Sequence, residues 1–146
     1  MNAERLKRYN DKLNHISKRV FEIKEWNGDY SIDAFIADER TKLATYKAFQ
    51  EIVDAIMDIA AMICKDSKIT PSDDYTNIDA LYENRIISKN VQKTLIESNG
   101  LRNRLVHWYN KIDDALAFES IQTLIPNLEK FMEEIKNWIK KKLKKD

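Results

Sequence analysis

Nine consecutive residues, Arg102 to Asn110, bring together two guanidiniums, the carboxamide of Asn103, an imidazole, an indole and a phenol. Their chemistry suits a phosphodiester. Arg102 can grip a phosphate with paired N–H bonds, and His107 can give or take a proton near neutral pH. Asn103 lies one turn before His107, within hydrogen-bond reach of it. Arg104 in the same stretch, and Asp58 or Asp54 from an earlier helical pattern, are candidates to support these groups. Together they are the parts of a phosphodiester cleavage that needs no metal. The same residues also fit an ordinary helix end, with the arginines paired to acids, His107 capping a carbonyl, and Trp108 and Tyr109 packed on neighbouring helices.

Other chemistries lack parts. Two histidines, His15 and His107, with the single Cys64 cannot make an ordinary zinc site, and neither histidine has a second one four residues on. Glycine occurs only at 28 and 100, so there is no Gly-rich phosphate loop, and no serine sits in a nucleophile-elbow context. No metal or cofactor is expected. His15, on the polar side of the first helical pattern, is expected to have no special role.

Spacing adds a constraint. At about 100° per residue, Arg102 and Tyr109 fall about 20° apart on a straight helix, while His107 points elsewhere. One uninterrupted helix therefore does not gather all three. Either the helix unwinds after His107, or two copies of it meet across a dimer.

The elements that must carry these residues read as helices. Leu6, Tyr9, Leu13, Ile16, Val20 and Ile23 form one apolar seam, ended by Asn27-Gly28. A second pattern opens at Ser31, a plausible N-cap, and runs to about Lys65, long enough that a break near Ala37-Asp38 is expected. Its face includes Leu43, Phe49, Ile52, Ile56, Ile59 and Ile63, while Lys47, Glu51, Asp54, Asp58 and Lys65 form a stripe read chiefly as solvated. Asp66 to Tyr75 reads as a loop, and Thr76 to Asn84 as a short helix. Ser88 caps the helix of the motif, whose seam is Val91, Leu95, Ile96, Leu101, Leu105 and Trp108, with Gly100 inside it. The last helix begins at Asp113-Asp114 and continues in phase across Pro126, where a kink is expected.

These patterns predict an all-α protein, an up-and-down four-helix-type bundle with one additional short helix, forming a single domain over residues 1–146. The composition agrees, with 43% hydrophobic and 34% charged residues and only two glycines and two prolines to make turns. Cys64, in an apolar run, is expected in the core. A formal net charge of +1 removes the simplest electrostatic case for nucleic acid, so any such contact must be local. The one basic cluster is the Lys-rich helix end over residues 136–146, read chiefly as a solvated terminus, with RNA or an acidic partner as the other option. No apolar leader or membrane-length stretch is evident, so a cytoplasmic location and no membrane contact are expected.

Arg102, four residues, then His107-Trp108-Tyr109 resembles the R-x4-H-x-Y motif of the HepT-like toxins in the HEPN (higher eukaryotes and prokaryotes nucleotide-binding) superfamily, including the polar residue after the arginine. The stretch Tyr46 to Ile59 resembles the family's long second helix, and Ile86-Ile87-Ser88 with Gly100 to His107 resembles its approach to the motif. Trp108 is bulkier than the residue often found there.

The resemblance implies a helical homodimer whose two motifs share a cleft, an endoribonuclease activity that makes the protein toxic, and a minimal nucleotidyltransferase (MNT) antitoxin as partner. In such pairs the antitoxin transfers AMP from ATP to the motif tyrosine, here Tyr109. The resulting expectation is a metal-independent endoribonuclease acting on an RNA substrate, with Arg102, His107 and Asn103 as its reacting groups. The competing expectation is a non-catalytic module that presents Tyr109 and a nucleotide-binding cleft to the nucleotidyltransferase.

Overall fold

Asn2, Ser31, Asp38, Asp73, Ser88 and Asp113 each stand just ahead of a helix, with the side-chain oxygen accepting the N–H three residues on. Such caps satisfy donors that no helix can satisfy itself and typically contribute about 1 kcal/mol each. In the computed structural model, which describes residues 1–146, they open α1 (Ala3–Asn27), α2 (Ile32–Ala37), α3 (Glu39–Asp66), α4 (Asp74–Glu83), α5 (Lys89–His107) and α6 (Asp114–Lys145). A 3-10 turn, Tyr109–Lys111, lies between α5 and α6. There are no strands.

The architecture is the expected all-helical bundle with four long helices, α1, α3, α5 and α6. There are two short helices rather than one, because the long second pattern breaks where a break was expected. Asp38 leaves helical geometry at φ −99° and ψ 87°, its N–H bonds the carbonyls of Ala34 and Phe35, and its carboxylate accepts from the Thr41 N–H. It closes α2 and opens α3 in one residue. The Tyr30 hydroxyl also donates to it at 2.6 Å. α6 runs through Pro126 as one element.

α3 is the central rod and packs on α1, α4 and α5, while α6 lies along α5 and also meets α2. Phe49, Ile52, Ile56, Ile59 and Ile63 of α3 are fully enclosed together with Tyr9, Ile16, Leu95 and Phe131. Cys64 is buried among them, which pushes its thiol pKa up. Of the α1 seam, only Leu6 is left half-buried. Four residues read as core stripe are instead exposed: Leu43, Ile96, Trp108 and, near the end of the last helix, Leu143. Ile96 is turned away because Val91 and Leu95 already fill the inner face of α5, and Trp108 lies beyond the end of that helix. No helix is long and apolar enough to cross a membrane.

The hinge residue gives a test by pH. The Tyr30 hydroxyl first, then the Thr41 N–H and hydroxyl, hold the Asp38 carboxyl down to about 2, from an ordinary 3.8. A depressed carboxyl contributes stability above its ordinary value and loses it as pH falls toward its folded value. Asp38→Asn is therefore expected to flatten the fall in melting temperature between about pH 4 and 2, followed by circular dichroism. An unchanged acid limb would place that sensitivity elsewhere.

Candidate functional site

Leu101 and Leu105 anchor the inner face of α5, so Arg102 is placed on its flank, half-buried and directed at α3. There Nε donates to Asp54 Oδ1 at 2.8 Å and Nη2 reaches Oδ2 at 3.4 Å, a two-pronged pair between the fork and the carboxylate. Nη1 turns to Asn103 Oδ1 at 3.4 Å. Arg102 is thus held by two neighbours rather than left to swing.

Asp58, one turn along α3, does not reach this arginine. It pairs with Lys12 of α1 at 3.0 Å. Glu51, on the other side, takes Arg19 at 3.1 Å and His15 at 2.9 Å. Lys47, Asp58 and Lys65 of the stripe are exposed, as read from the sequence, while its three carboxylates Glu51, Asp54 and Asp58 each also hold a cationic or histidine side chain from another helix, which gives His15 a partner. Asp74, in the first turn of α4, keeps its proton to a higher pH than a free aspartate. Loss of solvent is the first cause, followed by repulsion from Asp54, Asp58 and Asp73, with Arg102 pulling the other way. Arg102 and Lys12 are the cations set among the carboxylates of Asp54, Asp58 and Asp74.

His107 is the last residue of α5, exposed and without a hydrogen-bond partner within the chain. The helix unwinds directly after it, the first of the two geometric options. Trp108 takes φ −125° and ψ 31°, its N–H returning to the Arg104 carbonyl, and the 3-10 turn follows. The expectation that Tyr109 lies about 20° from Arg102 assumed an unbroken helix, and the turn at Trp108 removes it. Tyr109 instead stands 77% exposed at the start of the 3-10 turn. Trp108 is 56% exposed, with the Lys111 ammonium 5.6 Å above its ring.

Arg104 faces the other way, onto a groove of about 490 Å³ between α5 and α6 whose walls include Ile96, Gly100 and Leu116. The ordinary helix-end arrangement is thus met only at Arg102, which does pair an acid. Arg104 joins no ion pair, and Trp108 and Tyr109 project into solvent. No three His, Cys, Asp or Glu side chains converge closely enough to ligate a metal ion.

Asp54 is the residue that sequence reasoning undervalued. Its position on the polar stripe of α3 was visible, but periodicity does not say which helix will lie opposite.

An all-helical bundle carrying a fork, an imidazole and an exposed phenol at one helix end defines the class. Residues 13–135 match the model of the family described as ribonuclease HepT-like. The chain belongs to that family, which places it among enzymes of the ribonuclease class. A protein of Archaeoglobus fulgidus is 31% identical over 140 residues, covering 94% of this chain and 97% of its own. The tRNA nuclease HepT of Aphanizomenon flos-aquae is 30% identical over 112 residues, 75% of each chain. The tri-AMPylated HEPN toxin of Shewanella oneidensis, solved in complex with MNT antitoxin, superposes with a TM-score of 0.83. That likeness covers 94% of this chain and 99% of the other at 24% identity, and shows the fold.

Proposed function

We propose that this protein is the toxin of a HEPN/MNT toxin–antitoxin pair, a metal-independent endoribonuclease that works as a homodimer. The observation that carries the reading is the division of the motif at the end of α5, with the arginine fork fixed against Asp54 and an unpartnered imidazole and phenol open to solvent. Buried structural histidines and tyrosines are ordinarily engaged, whereas these are presented.

In the reaction a base removes the proton of an RNA 2′-hydroxyl, whose oxygen attacks the adjacent phosphorus. A 2′,3′-cyclic phosphate forms as the bond to the 5′-oxygen breaks, and an acid returns a proton to that oxygen. Arg102 neutralises the phosphoryl oxygens, and His107 serves as base or acid, with the partner copy's imidazole in the complementary role. Asn103 orients the phosphate or the imidazole. The relatives' names support the substrate class, and the Shewanella toxin, AMPylated and in complex with MNT antitoxin, supports an MNT partner.

The rotation between the two reacting groups supports a second copy. Five residues of helix separate Arg102 from His107, about 140° of rotation, so one chain does not aim both at one atom. The α5–α6 groove, where the exposed Ile96 and Leu116 stand among polar and charged residues such as Glu97, Arg104 and Glu119, is a surface on the motif helix suited to a second copy. The test is cleavage of cellular RNA in EDTA by the purified protein, with light scattering at micromolar concentration. The parent should be a cleaving dimer, and Ile96→Asp should lose dimer and cleavage together while keeping its helical spectrum. Cleavage by a monomer would remove the dimer from the reading, and an inactive wild-type dimer would favour the binding-module alternative.

A further inference from the structure

α5 has two ends, and only one carries the motif. At the other, where Ser88 caps the helix, a cleft of about 840 Å³ opens between the α4–α5 turn and the last turns of α6. Over the 19 residues of α5 the two ends are about 28 Å apart. Arg85, Lys141, Lys142 and Lys145 line this cleft against only Glu83 and Glu134, and the rings of Tyr82 and Trp138 wall it. Glu134 is already engaged, accepting the Ser88 N–H at 2.9 Å. Lys142 donates to the Asp66 carbonyl at 3.1 Å and lies over the Trp138 ring. Arg85, Lys141 and Lys145 join no ion pair. On a chain of net charge +1 this is a local concentration of unneutralised cations.

The backbone carries a second, independent sign. Only two residues take a left-handed φ, Lys68 at 61° and Arg85 at 59°. Each stands just past a helix end, behind the caps Ser67 of α3 and Asn84 of α4. Glycine is the default there because a side chain strains that conformation. The chain spends neither of its glycines on these positions and uses cations instead, of which Arg85 lines the cleft and Lys68 does not. Helix dipoles favour positive charge near a C-terminus, but any position in the last turn serves that purpose without the strain.

We infer that this cleft binds the sugar–phosphate backbone of RNA at a distance from the reacting groups, an inference that rests on the ribonuclease reading above. Ammoniums and a guanidinium interleaved with two ring faces form the pattern that holds phosphates while bases stack. The Tyr82 ring already carries the Lys89 ammonium at 4.8 Å and the Trp138 ring that of Lys142 at 5.8 Å, so an acidic protein segment would answer the charge alone, whereas RNA also brings bases that stack beside these cations. A strand stacked as in a duplex, at about 3.4 Å per nucleotide, spans from the cleft to His107 with on the order of eight nucleotides, and an extended strand with about half as many.

The test uses the full chain with His107→Ala, so that RNA stays intact, and measures fluorescence anisotropy across a salt series. Two single-stranded RNAs are compared, of about three and about thirty nucleotides, chosen to fall short of and to exceed that span even when extended. Replacing Arg85→Asn, Lys141→Gln and Lys145→Gln together should weaken binding of the long RNA on the order of tenfold or more and lower its log–log salt slope by about two, leaving the short RNA unchanged. Arg85→Asn alone separates binding from capping, because asparagine tolerates the left-handed backbone. Its melting temperature should hold or rise while long-RNA affinity falls. Unchanged affinity and slope in the triple variant of a protein that otherwise cuts RNA would overturn this inference and leave the ribonuclease reading standing. A wild-type chain that neither binds nor cuts RNA would overturn both. Loss of nucleotidyltransferase binding with RNA binding intact would make the cleft a protein interface, which also overturns it.

Discussion

Replacing His107 with alanine is expected to lower RNA cleavage by about 10²- to 10⁴-fold, the usual loss when a general acid or base is removed. The fold should be untouched, because His107 is exposed, unpartnered and at the last position of α5. Arg102→Ala should cost as much activity but for a different reason, loss of charge on the phosphate, and it also strands the Asp54 carboxylate near Asp74, whose pKa is already raised. The pair therefore allows a finer measurement. Asp54→Asn keeps the shape of the contact and releases the ionic hold on Arg102, so the fork loses its fixed aim. The expectation is a fall in kcat with little change in KM, smaller than for Arg102→Ala. Full activity in purified His107→Ala by single-turnover assay would rule out the proposed chemistry.

Tyr109→Phe is expected to leave cleavage near the wild-type rate while abolishing control by AMP transfer. The phenol is 77% exposed on a 3-10 turn, two residues beyond the imidazole, so a second enzyme's active site can reach its oxygen. Transfer joins that oxygen to the α-phosphorus of ATP and releases pyrophosphate. The attached phosphodiester then brings a negative charge and an adenosine beside His107, where the scissile nucleotide would sit. Incubation with the cognate nucleotidyltransferase, ATP and magnesium should silence the wild type and mark Tyr109 in peptide mass spectra, whereas Tyr109→Phe should stay active. Equal silencing of both proteins would mean that inhibition runs through complex formation alone.

The helices and their boundaries were legible because their causes are local. Ser31, Ser88 and Asp113 announce helix starts through their own side chains, and the excessive length of the second pattern pointed to the break at Asp38. The motif was legible as chemistry for the same reason, being nine residues long. What could not be read was which polar residue meets which across the bundle. Asp54 and Asp58 share one stripe of α3 and look alike in sequence, yet one holds Arg102 and the other Lys12, because their partners arrive from α5 and α1. Arg85 was equally invisible, since nothing in its neighbours says that a non-glycine residue will adopt a left-handed backbone. Leu43 and Ile96 fit the apolar period but lie where no neighbour covers them.

Asp38 also governs how the chain can change length. Because α2 stops and α3 starts on the same residue, there is no slack between them. An inserted residue drawn into α3 would advance its first turns by about 100° relative to Tyr30 and α6, separating Lys42 and Tyr46 from Asp114, which they now hold at 3.1 and 2.5 Å. The segment between α3 and α4 has residues to spare and runs over the surface. Insertions and deletions are expected to be tolerated there, whereas the corner at Asp38 is a fixed joint.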